Sequence, residues 1–336
     1  MKRIIVLYTV LIGAFFAYFL NYHFREAAPT GWESGGLRGE IDEKYVMVTF
    51  QAGIDYWKSC LKGFEDAAQQ LNVSVEYRGA THYDVNEQIK VLEQVIARKP
   101  AGIALSAIDP IALTDTINKA VDAGIPVVLF DSGAENSKAY SFLATDNYNA
   151  GVTAARKMGE LLGGKGKVAV VTQPNQQNHQ ERTKGFKETI AAEFPGLEVV
   201  AVLDGKGDQA VSRDAVLEAL KKHPDLGGVF ATEANGGVGI GDAVVYYAQN
   251  KNIKIISFDT DLGTLDLVKQ GVISATLAQG TWNMGYWSLL QLFHLHHMIA
   301  QDAGGAASGS GPVVPPFTDT GITIVTKENV DQFYAR

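Results

Sequence analysis

The sequence predicts an α/β protein made of two doubly wound parallel-sheet lobes, and three observations carry that reading. From Tyr45 onward, short apolar runs alternate with longer amphipathic stretches, the pattern of right-handed βαβ crossovers. There are too many such units for one ordinary open sheet. The pattern also breaks twice, at Ser141–Gly151 and at Gln279–Asn283, which marks the passages between lobes. With 336 residues, 46% hydrophobic and 20% charged, the chain can bury two medium cores.

The elements follow in order. Residues 1–24 form an N-terminal segment in which Lys2 and Arg3 precede the uncharged run "IIVLYTVLIGAFFAYFL", Ile4 to Leu20. As a helix this run measures about 25 Å, close to the bilayer's hydrocarbon thickness. It is longer than the apolar region of a cleaved signal and lacks a small-x-small site close behind it. An uncleaved anchor is the expectation, with cleavage near Ala27-Ala28 as the alternative. The charges before the span place the body outside the cytoplasmic membrane. Residues 25–43 are polar and glycine-containing and read as a linker.

Strands are expected at Tyr45–Phe50, Val73–Tyr77, Gly102–Ser106 and Pro126–Phe130, then at Lys167–Thr172, Val199–Leu203, Gly228–Ala231, Lys254–Phe258 and Ile273–Ala278. Between them, helices are expected at Trp57–Leu71, Asn86–Arg98, Ile111–Ala123, Tyr148–Leu162, Arg182–Glu193, Gln209–Lys222, Gly237–Gln249 and Met284–Ala300. Phe64, Ala67, Ala68 and Leu71 recur at helical spacing, as do Ile89, Leu92, Val95 and Ile96. The stretch "AQDAGGAASGSGPVVPPFTDTG" has a flexible-loop composition, and "GITIVT" after it reads as a terminal strand. The expected lobes are 44–146 with 280–311, and 147–279 with 312–336.

Ligands of open parallel sheets bind beyond the carboxyl ends of the strands. The polar residues there are Asp131-Ser132, Thr232-Glu233-Ala234-Asn235, Asp259 and Gln279, with Arg182 following a polar loop and the aromatic pair Tyr56-Trp57 following the first strand. Carboxylates, an amide and a guanidinium match the in-plane hydroxyls of a sugar, and flat rings match its C–H face. Several carboxylates against one cation favour a neutral polyol over an anionic ligand. The net charge of -8 and the absence of a basic run exclude a nucleic-acid surface.

Other signals carry less. "ANGGVGIGDA" lacks the G-x-G-x-x-G spacing of a dinucleotide site. His294 and His297 share a helical face with no third ligand nearby in sequence, which favours a surface or interlobe role over a metal. Cys60 has no His or Lys close by to lower its pKa and reads as a buried apolar thiol. Asp55 reads as a helix cap. No G-x-S-x-G elbow occurs. Paired carboxylates Asp131 and Glu233 leave a secreted α/β sugar hydrolase as the alternative, but that reading gives the aromatic pair no role. No catalytic residue, metal or cofactor is expected.

The stretches "YVMVTFQAGIDYWKSCLKGFEDAAQQLNVSV", "GIPVVLFDSG", "QERTKGF", "GGVFATEANGGVGIGDAV", "IKIISFDTD" and "ISATLAQGTWNMGYWSL" occur in this order. Together they resemble the landmarks of type I periplasmic sugar-binding proteins of the ribose-binding group, across roughly residues 44 to 336. The resemblance implies two lobes closing on a monosaccharide across a three-stranded hinge, without a catalytic step. It places the aromatic clamp on Tyr56 and Trp57 and the first carboxylate on Asp131. The arginine falls on Arg182, the second carboxylate on Asp259 and the hinge-side amide on Gln279. The ribose pattern has Arg where this chain has Ser132, and Asn where it has Glu233, with Asn235 the equivalent under a two-residue slip. These departures leave the sugar open among pentoses and hexoses. The implied partners are an ABC-transporter permease or, with an uncleaved anchor, a membrane histidine kinase.

Overall fold

The fold is described from a computed structural model, in residues 12–16, 18–19, 37–247, 252–299 and 314–334. Most of the expected anchor and of the linker therefore lies outside the described residues. Among the described residues, no helix is long and apolar enough to cross a membrane.

Two six-stranded sheets carry the chain. The first contains β1 (Lys44–Thr49), β2 (Ser74–Gly79), β3 (Gly102–Leu105), β4 (Val127–Phe130) and β5 (Ser141–Ala144), and the second contains β6 (Lys165–Thr172), β7 (Gly196–Asp204), β8 (Leu226–Ala231), β9 (Lys254–Phe258) and β10 (Ala275–Gln279). β11 (Phe317–Asp319) joins the edge of the first sheet beside β5, and β12 (Ile322–Val325) the edge of the second beside β10. Every pairing is parallel except β10 with β12. Strands of β3 and β4 are buried along their whole length, as expected of a parallel sheet covered on both faces.

Helices α1 (Tyr56–Leu71), α2 (Val85–Ala97), α3 (Thr114–Asp122) and α9 (Thr281–His296) cover the first sheet. The second is covered by α4 (Asn147–Leu162), α5 (Gln177–Glu193), α6 (Gln209–Lys222), α7 (Ala234–Tyr247) and α8 (Leu262–Gln270). Phe64, Leu289 and Phe293 fill one face of the first sheet, and Leu92, Leu113 and Ile117 fill the other.

The chain passes between the sheets three times, from β5 to α4, from β10 to α9 and from β11 to β12. These passages are tied to one another. The Thr320 amide donates to the Ala144 carbonyl at 2.9 Å, the Gly280 amide to the Gly321 carbonyl at 3.0 Å, and the Asp146 amide to Asp319 at 3.1 Å. A side chain at Gly280 would overlap the Thr320 carbonyl, so the passages sit closer than any other residue permits.

Several expectations shift. Ser141–Ala144 is a strand, not merely a join, and β11 lies inside the stretch read as loop. The expected return at residue 312 precedes β11, whose pairing with β5 keeps 317–319 in the first sheet. β10 begins at Ala275, not at the expected Ile273, because residues 271–274 form the turn that follows α8. Helix α5 starts at Gln177, ahead of the expected Arg182.

Two helix pairs cross at glycine. In the first lobe a Cβ on Gly63 would overlap the Trp282 carbonyl and one on Gly285 the Cys60 carbonyl; in the second, Gly151 faces the Arg182 carbonyl and Gly185 that of Tyr148. Cys60 is buried at the first crossing and its thiol is pushed well above its ordinary pKa by burial, in keeping with an unreactive core residue. Gly285→Ala is expected to lower stability by about 3 kcal/mol, the upper end of overpacking costs. Gly53→Ala, with open space around it, should change it by less than about 0.5 kcal/mol. Urea unfolding of both variants distinguishes the close approach from a general effect of removing glycine.

Candidate functional site

Both carboxylates of the site sit at strand ends in left-handed backbone. Asp131 follows β4 with φ 61° and Asp259 follows β9 with φ 67°. In each case the next strand holds the turn: the Asp131 amide donates to the Leu143 carbonyl at 3.0 Å, and the Asp259 amide to the Leu277 carbonyl at 2.9 Å. Non-glycine residues persist in this region only where the surroundings determine them, and Asp tolerates it better than most. The same strained corner thus occurs once in each lobe.

Tyr56 is the first residue of α1, and its hydroxyl donates to Asp131 Oδ1 at 2.6 Å. Ser106, just beyond β3, donates to Asp131 Oδ2 at 3.2 Å. On the other side, the α4–α5 glycine crossing brings Arg182 to the ends of β8 and β9. Its Nε donates to Asn147 Oδ1 at 2.9 Å, one terminal nitrogen to the Thr232 carbonyl at 2.8 Å, and the other to Gln279 Oε1 at 3.2 Å. The guanidinium lies 3.7 Å from the centre of the Phe258 ring, a cation–π contact in a dry setting.

Gln279 joins the halves. Its Nε2 donates to Asp259 Oδ1 at 2.7 Å and to the Tyr56 hydroxyl at 3.2 Å, while Oε1 also accepts from Thr145 Oγ1 at 2.8 Å. Its amide orientation is therefore fixed by partners on both atoms. Tyr56, Asp131, Arg182, Asp259 and Gln279 form one continuous network between the lobes. A second interlobe contact runs from Gln177 Nε2 to Glu135 at 3.3 Å.

Four expected residues stand differently. Trp57 is 2% exposed and belongs to the first-lobe core; its Nε1 donates to the Phe50 carbonyl at 2.8 Å and its ring meets Phe50 and Phe130 edge-on. Successive helical residues point about 100° apart, so Trp57 turns into the core while Tyr56, whose ring it meets edge-on at 4.8 Å, stays at the strand end. Asn235 is exposed and donates to the Gly207 carbonyl at 3.0 Å, outside the network. Glu233 caps α7, accepting from the Asn235 amide at 2.8 Å and the Gly236 amide at 2.7 Å. Ser132 is half-buried, and its carbonyl accepts from the Ala107 amide at 3.0 Å. Asp55 occupies the cap position of α1 without a capping bond; its carboxylate pairs with Lys58 at 2.9 Å.

The sequence reading placed Thr232 at a strand end without choosing it as a site residue, and it gave no site role to Ser106, Thr145, Asn147 or His179. Ser106 and Thr232 directly follow β3 and β8, so the strand-end rule reaches them. His179 Nδ1 lies 2.8 Å from Thr232 Oγ1, which donates to Thr172 Oγ1 at 3.0 Å. Burial and the Arg182 charge bring His179 down to about 3, leaving it neutral beneath the arginine.

Burial governs the charges here. It pushes Asp131 up, against the opposing pull of Tyr56, Arg182 and Ser106. It takes Asp259 to about 6 and Glu233 to about 7, with the neighbouring Asp261 adding to both. Arg182 is drawn down by burial and held up by Asp259, Tyr56, Asp131 and Glu233. Among the described residues, the His/Glu grouping with metal-ligand spacing lies away from this network, beside the amino end of β1.

Two doubly wound lobes, joined by three adjacent passages and by polar groups at facing strand ends, define the architecture of a two-lobed binding protein. The chain belongs to the periplasmic binding protein domain family, which matches residues 45–296, and to its type I sugar-binding group. It is 29% identical to the ribose import binding protein of Bacillus subtilis over 67% of this chain and 72% of that one. Among solved structures it is similar to a sugar ABC transporter sugar-binding protein from Bacillus halodurans, at 66% identity and a TM-score of 0.84, covering 87% of this chain and 100% of that one. It is also similar to an arabinose-binding protein from Geobacillus stearothermophilus, at 66% identity and a TM-score of 0.83, covering 88% and 100%.

A carboxylate raised by folding adds stability at low pH and loses it as pH rises through the folded value. Glu233 moves from 4.5 to about 7. The ligand-free protein is therefore expected to lose more thermal stability between pH 5 and pH 8 than Glu233→Gln does. Melting curves across that range check this, and parallel slopes would contradict it.

Proposed function

We propose that the chain binds a neutral monosaccharide between its lobes, outside the cytoplasm, and that binding stabilises the closed form without any chemical step. The observation that carries the reading is the Tyr56–Asp131, Gln279–Asp259 and Arg182 network. It offers carboxylate acceptors, amide and guanidinium donors and a phenol hydroxyl at one place, which is what a ring of hydroxyls requires. Three half-buried carboxylates around one guanidinium disfavour an anionic ligand. Tyr56 supplies the ring, with Phe50 and Tyr83 edge-on to each other nearby; Trp57 supports this wall from the core.

A pentose is the proposed ligand, with arabinose first, because the arabinose-binding protein above shares 66% of its residues with the chain. Ser132 and Glu233 set this site apart from the ribose pattern. The closed form is proposed to dock on a membrane partner, an ABC-type permease. The apolar run from Ile4 to Leu20 supports a tether, and a tether supports a sensor kinase as the alternative partner, since it raises effective concentration at one neighbour and prevents free shuttling.

Calorimetry against arabinose, ribose, xylose, galactose and glucose tests the reading. Heat is expected with a pentose; a folded protein that binds none of them would contradict the assignment. Asp259→Ala and Arg182→Ala are each expected to weaken binding by about 2–5 kcal/mol, because each strands a buried partner. Wild-type affinity in either variant would remove that residue from the site. Intact mass of the membrane-extracted protein shows whether Met1 is retained, as the tether requires.

A further inference from the structure

At the amino end of β1, opposite the strand ends that carry the network, Glu43, His296 and His297 bring their ligand atoms within 4.8 Å of one another. His297 Nε2 stands 2.8 Å from Glu43 Oε2. Glu43 comes from the turn entering the first sheet, and both histidines come from the far end of α9. We propose that these three side chains form a site for a divalent transition metal of the zinc type.

The donors are held before any ion arrives. The Glu43 carbonyl accepts from the Ser74 amide at 3.0 Å and from Ser74 Oγ at 3.1 Å, and Glu43 Oε1 accepts from the Glu40 amide at 2.8 Å. Tyr45 also donates to Oε2 at 3.4 Å. The His297 ring lies 4.2 Å from that of buried Phe293, and the His296 ring meets Tyr45 edge-on at 6.1 Å. Rings and carboxylate thus keep their orientations through contacts behind the ligating atoms.

The chemistry selects the ion. Two imidazoles and one carboxylate suit zinc, copper or nickel, whereas calcium and magnesium ask for shells of oxygen. Bonds of about 2.0–2.1 Å in a tetrahedral site put ligand atoms roughly 3.3 Å apart, so the three atoms, all within 4.8 Å of one another, would have to draw closer around an ion. A cleft of about 460 Å³, lined by Asp42, Glu43, Lys44, Glu76, Arg98 and His296, opens on the site and provides an entry path. Bound metal would clip the end of α9 to the start of β1 and stabilise the first lobe by linkage.

The experiment uses the full chain, stripped with chelator and titrated with zinc chloride by calorimetry, with melting curves in parallel. One zinc per chain and a raised melting temperature are expected. His296→Ala, a residue with an exposed side chain, and Glu43→Gln should each weaken zinc binding by roughly tenfold or more, while His294→Ala, outside the cluster, keeps it. Calcium should neither compete nor raise the melting temperature. Zinc affinity unchanged in both His296→Ala and Glu43→Gln, or no zinc binding by the folded wild type, would overturn the proposal. Sugar titrations on the same samples report the lobe cleft separately, so loss of one binding is not mistaken for loss of the other.

Discussion

The Gln279 side chain is the constraint on which the rest depends. One amide has to satisfy Thr145 and Arg182 through its oxygen and Tyr56 and Asp259 through its nitrogen. Those partners come from both lobes and from the first passage between them. The amide sits at the end of β10, where the second passage begins, so its place depends on the three passages lying side by side. The Gly280 contact with Thr320 keeps them so. A buried amide with all its bonds made is worth keeping and costly to disturb. Any relative motion of the lobes must therefore break or exchange bonds at Gln279, which is the basis for proposing that it couples closure to occupancy of the site.

Charge balance follows from the same crowding. Asp131, Asp259 and Glu233 all lie near Arg182, and burial raises each of the carboxylates. Hydroxyl donors that bind these carboxylates relieve the cost of ionising them, which gives a neutral polyol a free-energy advantage that an anion lacks. The left-handed corners at Asp131 and Asp259 set the carboxylates at the strand ends, where Tyr56 and Gln279 reach them, and each corner is held by the strand that follows it. Arg182 is held from beneath by Phe258 and through Asn147 and Thr232, so its donors keep a fixed fan.

Much of this was legible in the sequence because parallel strands collect their functional residues at one edge. Asp131, Asp259 and Gln279 stand directly after apolar runs, and the strand-end rule finds them without a structure. Tyr56 and Trp57 were legible as aromatic but not as having different roles; helical rotation of about 100° turns Trp57 into the core, and only knowing that α1 begins at Tyr56 shows which ring faces the gap. Glu233 and Asn235 follow β8 equally well, yet the start of α7 turns the carboxylate back onto its own helix. Short strands at the passages escaped because β5 and β11 are too brief to show a period, and β11 follows a Gly/Ser-rich stretch ending in two prolines. The Glu43, His296, His297 grouping is illegible by spacing, since its carboxylate comes from the opposite end of the lobe's sequence.

Gln279 is the residue proposed to couple the site to lobe closure. The direct measurement is small-angle scattering of wild type and Gln279→Leu, each with and without the sugar that calorimetry identifies. Saturating sugar is expected to compact the wild type, while Gln279→Leu stays extended at the same concentration and compacts only partly at higher ones. Full compaction of Gln279→Leu at the wild-type sugar concentration would contradict it.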